Sequence, residues 1–106
     1  MNSADQSLGF LGLLFVSRKA LIGEELSAKL EHCKLLLYAT DATSNQALGI
    51  RHKAELRHTP LYGKFTEEEL GHALGRDKVT FVGIIDKKAA AAFLAKTGLL
   101  KGPQKP

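Results

Sequence analysis

Two short runs constrain this chain more than anything else in it. Residues 34–39 carry Leu35-Leu36-Leu37-Tyr38-Ala39, and residues 79–85 read Val79-Thr80-Phe81-Val82-Gly83-Ile84-Ile85. Successive side chains of a strand point to opposite faces, so a strand that is apolar at consecutive positions has to be covered on both. Both runs have strand length, and a chain of 106 residues is long enough to lay helices above and below them. A layered α/β domain with helices on both sides of a sheet is therefore the expected architecture.

The segments between the runs supply the other elements. Residues 7–17 are expected to form a helix despite Gly12, and residues 20–22 a short strand. Leu26 and Leu30, four apart, mark a helix over residues 24–32. Asp41, Thr43 and Ser44 offer N-cap oxygens for a helix reaching residue 57, with Ala47, Ile50 and Ala54 on one face and Arg51, Lys53 and Arg57 largely off it. Pro60 cannot donate to a ladder, which confines a strand over residues 58–62 to an edge. Thr66 and Glu69 make a capping box for a helix that runs to Gly75. Asp86 caps a last helix over residues 87–96. Residues 1–98 thus read as one domain and residues 99–106 as a flexible basic tail.

Composition narrows the function classes. The formal charge of +4 and pI near 9.3 favour anionic partners without requiring them. The single Cys33 has no partner thiol and reads as a small buried hydrophobe at a strand start, in keeping with a reducing cytoplasm. The apolar run over residues 8–16 is too short to cross a bilayer, and no basic leader precedes it, so a cytoplasmic chain without membrane association is expected. His32, His52, His58 and His72 are widely spaced and form no pair of metal-ligand pairs. There is no glycine-rich phosphate loop and no strand-to-helix nucleophile signature, so neither enzyme activity nor a metal or cofactor is expected.

The order Leu11-Gly12-Leu13, Lys19, Gly23-Glu24-Glu25-Leu26, Lys29, Ala39-Thr40-Asp41-Ala42, Glu68-Glu69-Leu70-Gly71 with Ala73 and Gly75, and finally Asp86-Lys87 is distinctive as a set. In that order and wording the chain resembles the kink-turn-binding ribosomal protein superfamily, in particular its bacterial YlxQ-like branch, over nearly its whole length. The resemblance implies a three-layer α-β-α sandwich around a small mixed four-stranded sheet. It also implies an RNA-facing edge made of residues 19–29, the turn at Thr40 and Asp41, and the loop over residues 76–80. In such proteins the second helix enters the widened groove beside sheared G·A pairs of a sharply bent RNA, and shape is read before base edges.

On that pattern Gly23 allows close backbone approach, Glu25 accepts from guanine amino or imino groups, and Lys29 reaches a phosphate or purine acceptor. Arg18, Lys19, Arg76 and Lys78 position the sugar-phosphate backbone, and Val79 packs beside an unstacked base. Glu24 joins Glu25 in the first helical turn, where acids also offset the helix dipole by about 0.3–1 kcal/mol without any ligand. Three places depart from the family's usual wording, one of them the connection from Lys29 to Lys34, which is short and lacks the usual glycine. Val16-Ser17-Arg18-Lys19 stands where Arg-Ala-Gly-Lys is common, and Leu26 stands where strong kink-turn binders carry Glu or Gln. The expected function is non-enzymatic binding of structured RNA, ribosomal or kink-turn-like, by a monomer that stabilises a bent RNA conformation, with the ribosome as the setting and DNA excluded. The alternative is a protein-interaction module on the same scaffold, using its basic face or an apolar stripe at Leu13 and Leu14.

Overall fold

The two apolar runs lie side by side at the centre of a four-stranded sheet. The computed structural model describes residues 3–97. In chain order its elements are α1 (Ser3–Val16), β1 (Ala20–Leu21), α2 (Gly23–Ala28), a 3-10 turn (Leu30–His32), β2 (Leu35–Tyr38), α3 (Asn45–Leu56), β3 (Leu61–Tyr62), α4 (Glu67–Ala73), β4 (Phe81–Ile84) and α5 (Lys87–Thr97). The strand order is β1-β4-β2-β3. β4 is antiparallel to both β1 and β2, while β2 and β3 are parallel, which makes the sheet mixed. β3 sits at the edge as Pro60 requires, and the one ladder group proline retains is used: its carbonyl accepts from the Leu36 amide at 2.9 Å.

Alternation along the strands divides the core in two. Leu35, Leu37, Val82 and Ile84 face Leu11 and Leu14 of α1, Leu70 of α4 and Phe93 of α5. Leu36 and Phe81 face the other way, against Leu26, Leu30, Ile50 and Ala54 from the α2 and α3 side. The result is the expected three-layer α-β-α sandwich. Its helix starts also follow the expected chemistry. Ser44 Oγ accepts from the Ala47 amide at 3.2 Å, Thr66 and Glu69 form the reciprocal capping box, and an Asp86 carboxylate oxygen accepts from the Ala89 amide at 2.8 Å.

Other boundaries differ from expectation for identifiable reasons. The first helix starts earlier, at Ser3. The helix expected over residues 24–32 stops at Ala28, where the Lys29 amide donates to the Leu26 carbonyl, and the 3-10 turn then keeps Leu30 buried while turning the chain into β2. The strand expected over residues 79–85 is shorter because the Val79 amide leaves the ladder to bond the Glu67 carbonyl at 3.0 Å. The tail expected over residues 99–106 lies outside the described residues.

Three helices finish with the same device. In α1 the Lys19 amide reaches the Leu14 carbonyl at 2.8 Å and the Arg18 amide reaches that of Phe15 at 3.2 Å. Thr59 to Ala54 with His58 to Glu55, and Arg76 to Gly71 with Gly75 to His72, repeat the pattern after α3 and α4. These are Schellman closures, which place the residue after the cap in the left-handed region. The residues so placed are Arg18 (φ 68), His58 (φ 60) and Gly75 (φ 74). Arg18 thus holds the left-handed turn at the position where the resembling family has glycine.

Candidate nucleic-acid interface

Because β4 runs against β1 and β2, the C-terminal ends of β1 and β2 and the N-terminal end of β4 fall at one end of the sheet. Three connections therefore converge there: the turn from β1 into α2, the turn from β2 into α3, and the loop from α4 into β4. The first is opened by Ile22, an extended N-cap with no side-chain cap of its own, and by Gly23 at φ 63. The left-handed φ, not crowding, calls for glycine at position 23, since a Cβ there would meet nothing within 4 Å.

The loop from α4 is fixed from below. Gly71 lies so close to it that a Cβ would come within 2.7 Å of the Asp77 carbonyl oxygen and 2.8 Å of the Lys78 Cα. The Schellman closure at Gly75 then aims Arg76 back toward α1, and its guanidinium lies 5.5 Å from the centre of the Phe15 ring. A pocket of about 310 Å³ opens between the two corners, lined by Ile22 and Gly23 on one side and by Arg76, Lys78, Val79, Thr80 and Phe81 on the other, with Gln46 from the start of α3 closing it.

Of the residues expected to form an interface, Gly23, Arg76, Lys78 and Val79 meet at this pocket. Val79 lines this pocket and is at the same time a core residue, 5% exposed and clustered with Leu70, Leu74 and Val82, so it offers a base only a small apolar edge. Arg18 and Lys19 are exposed on the α1 corner, and the Lys19 carbonyl ties that corner to the end of β4 by accepting from the Ile85 amide at 2.9 Å. Arg18 is ion-paired with Glu25, so two residues expected to face RNA separately face each other. Glu24 is exposed in the first turn of α2 and makes no ion pair among the described residues. Lys29 is exposed too, but as the C-cap of the shortened α2 it does not line the pocket.

The turn at Thr40 and Asp41 is committed to structure. The Thr40 amide donates to the Phe65 carbonyl at 2.9 Å, and Asp41 Oδ1 accepts from the Glu67 amide at 2.9 Å, so Asp41 serves the start of α4 and not that of α3. Gln46 was not singled out by the sequence. Its signal is positional, a polar residue in the first turn of the helix that follows β2, and it becomes readable once the sheet order is known. The apolar stripe also shifts: Leu14 is buried, and the exposed pair on α1 is Leu13 (68%) with Val16 (80%).

Reactive chemistry is sparse elsewhere. Burial pushes the Cys33 thiol up to about 11, and its S–H donates to the Leu35 carbonyl at 3.3 Å, so the group stays protonated at neutral pH. Among the described residues no three His, Cys, Asp or Glu gather in a way that could hold a metal ion. No helix among them is long and apolar enough to cross a membrane.

No protein-family model matches this chain, and no curated protein sequence matches it. Among solved structures it is similar to a protein of unknown function from Bacillus halodurans C, with a TM-score of 0.74 and 23% identity over 87% of this chain and 96% of that one. At that identity the two share a fold, and what the site does has to be argued from its own residues.

Proposed function

We propose that the chain binds structured RNA without catalysing a reaction, and that it belongs with the kink-turn-binding proteins it resembles. The observation that carries this reading is the pocket between the Gly23 corner and the Arg76–Thr80 loop, an opening at one end of the sheet with Arg76 and Lys78 among its lining residues. Cations along one wall suit a bent sugar-phosphate backbone, while Gly23 leaves room for it to come close to the main chain. Gln46 and Thr80, which also line the opening, carry groups able to hydrogen-bond a base edge or a ribose hydroxyl. Binding there stabilises one bent conformation of the RNA, inside the cell and on ribosomal or kink-turn-like RNA.

The test is a gel shift with a kink-turn RNA, the same RNA with its sheared pairs mutated, and a plain duplex. Wild type is expected to prefer the intact kink, Arg76→Ala to weaken binding strongly, and Lys29→Ala to weaken it less because Lys29 stands outside the pocket. Equal affinity for all three RNAs would defeat the shape-specific claim. A second reading, a protein-interaction module, is favoured by Leu13 and Val16, which are exposed one turn apart on α1. It predicts partner binding that resists salt and is lost in Leu13→Asp.

A further inference from the structure

The basic residues of α3 lie away from the pocket, at the far end of the same two helices whose first turns border it. α2 and α3 pack on one face of the sheet through Leu26 and Ile50. Their first turns meet at the pocket, through Gly23 and Gln46. Their far ends border a second depression of about 440 Å³, lined by Ser27, Leu30 and Glu31 on one wall and Lys53, Leu56 and Arg57 on the other. At 1.5 Å per residue, α3 carries the chain about 10 Å from Gln46 to Lys53 and about 16 Å to Arg57. The two depressions therefore lie a few nucleotides' length apart along the same pair of helices, each with two cations in its lining.

The charges on this track are unevenly committed. Glu31 faces His32 at 3.6 Å and Glu55 faces His52 at 3.9 Å. Arg51 lies 4.1 Å above the Tyr38 ring. Lys53 and Arg57 make no ion pair among the described residues. A helix C-terminus favours cations through its dipole, which accounts for basic residues there but not for Leu56, 68% exposed between them. Two uncommitted cations around an apolar side chain in a shallow groove suit a nucleic-acid strand, with phosphates on the cations and a sugar face on the leucine.

We propose that Lys53 and Arg57 form a second phosphate-binding station, which holds the helical arm of an RNA whose bend is seated at the pocket. This inference rests on the RNA-binding reading and adds to it where the RNA goes after leaving the Gly23 corner. The arm follows the groove between α2 and α3, passes Leu56 and is held at Arg57. Removing the two cations should therefore be felt only by an RNA long enough to reach them.

The experiment titrates wild type, Lys53→Ala/Arg57→Ala and Arg76→Ala against two kink-turn RNAs, one with arms trimmed to the kink and one with both arms extended, at several salt concentrations. On the long-armed RNA the double variant is expected to bind roughly tenfold more weakly, with a salt slope lower by about 1–2. On the trimmed RNA it should match wild type, while Arg76→Ala weakens binding to both. If the double variant equals wild type on the long-armed RNA and Arg76→Ala still weakens binding, the second station is wrong and the pocket reading stands. Equal losses on both RNAs also overturn the station, since generic charge would explain them. Failure of wild type to bind either RNA overturns both proposals together. Poly-L-glutamate serves as a control probe. If the double variant loses it while keeping wild-type affinity for the long-armed RNA, the groove belongs to an acidic protein partner and the proposal falls.

Discussion

Single residues show how far this site is constrained by the core beneath it. Leu26 occupies the position where strong kink-turn binders carry a polar residue, yet here it is fully buried, and its Cδ1 would lie 2.2 Å from a Cβ placed on Gly83. Leu26 fills the space that Gly83 leaves on the central strand. Leu26→Gln should therefore not restore an RNA contact. It should cost about 3 kcal/mol, by losing buried apolar area and leaving an amide without partners, as urea unfolding would measure. A loss below about 1 kcal/mol would mean the side chain reaches solvent. Cys33 gives a second test. The folded protein keeps this thiol proton up to about pH 11, whereas an unfolded thiol releases it near pH 8.5. Its contribution to stability is full below the unfolded value and falls as pH rises through this window, by about 1.4 kcal/mol per pH unit. Cys33→Val should flatten that part of the alkaline stability profile, and Cys33 in the folded protein should resist thiol reagents at neutral pH.

At the scale of elements, helix ends decide the geometry of the site, and they were unevenly legible in the sequence. The starts carried recognisable chemistry: Ser44, the Thr66 and Glu69 box, and Asp86 each cap the helix expected of them. The ends did not, because the usual mark of a Schellman closure is glycine and only Gly75 of the three supplies it. Arg18 and His58 hold the same left-handed shape at a cost of about 1–2 kcal/mol each, so a residue-type signal passes over them. His58→Gly should therefore stabilise the protein by about 1 kcal/mol in chemical denaturation and leave RNA affinity unchanged. Gly75→Ala should destabilise by a similar amount and weaken RNA binding as well, because the closure it strains is the one that orients Arg76. The site itself was legible where residues adjoin in sequence, as at Gly23 and at Arg76 with Lys78. Gln46 was hidden because joining it to Gly23 requires the strand order, and the burial of Val79 was hidden because an apolar run does not reveal where the ladder stops.

For the whole molecule, the question is which of two surfaces carries its function. One is the sheet end, where Arg76 and Lys78 line the pocket. The other is the outer side of α1, where Leu13 and Val16 stand in solvent. The net charge of +4 does not choose between them, since it is summed over all sides. Salt does choose, because ion release at phosphates and burial of apolar area respond to it differently. If Arg76 and Lys78 each meet a phosphate, the two should contribute about −1.5 to the slope of log K against log salt, and Arg76→Ala should reduce its magnitude by about 1. Leu13→Asp/Val16→Asp should leave the number of phosphate contacts unchanged, and its slope should match that of wild type. The opposite pattern, a flat slope that is abolished by the α1 variant and untouched by Arg76→Ala, would place the working surface on α1. Arg76 is the informative position because it joins the pocket to α1. Its guanidinium lies over Phe15 in the last turns of α1 while it also lines the pocket. Phe15→Leu removes the aromatic face without removing the charge. If the ring holds Arg76 in place, that substitution should weaken RNA binding several-fold while leaving the salt slope intact, since the phosphate contact is loosened but still made.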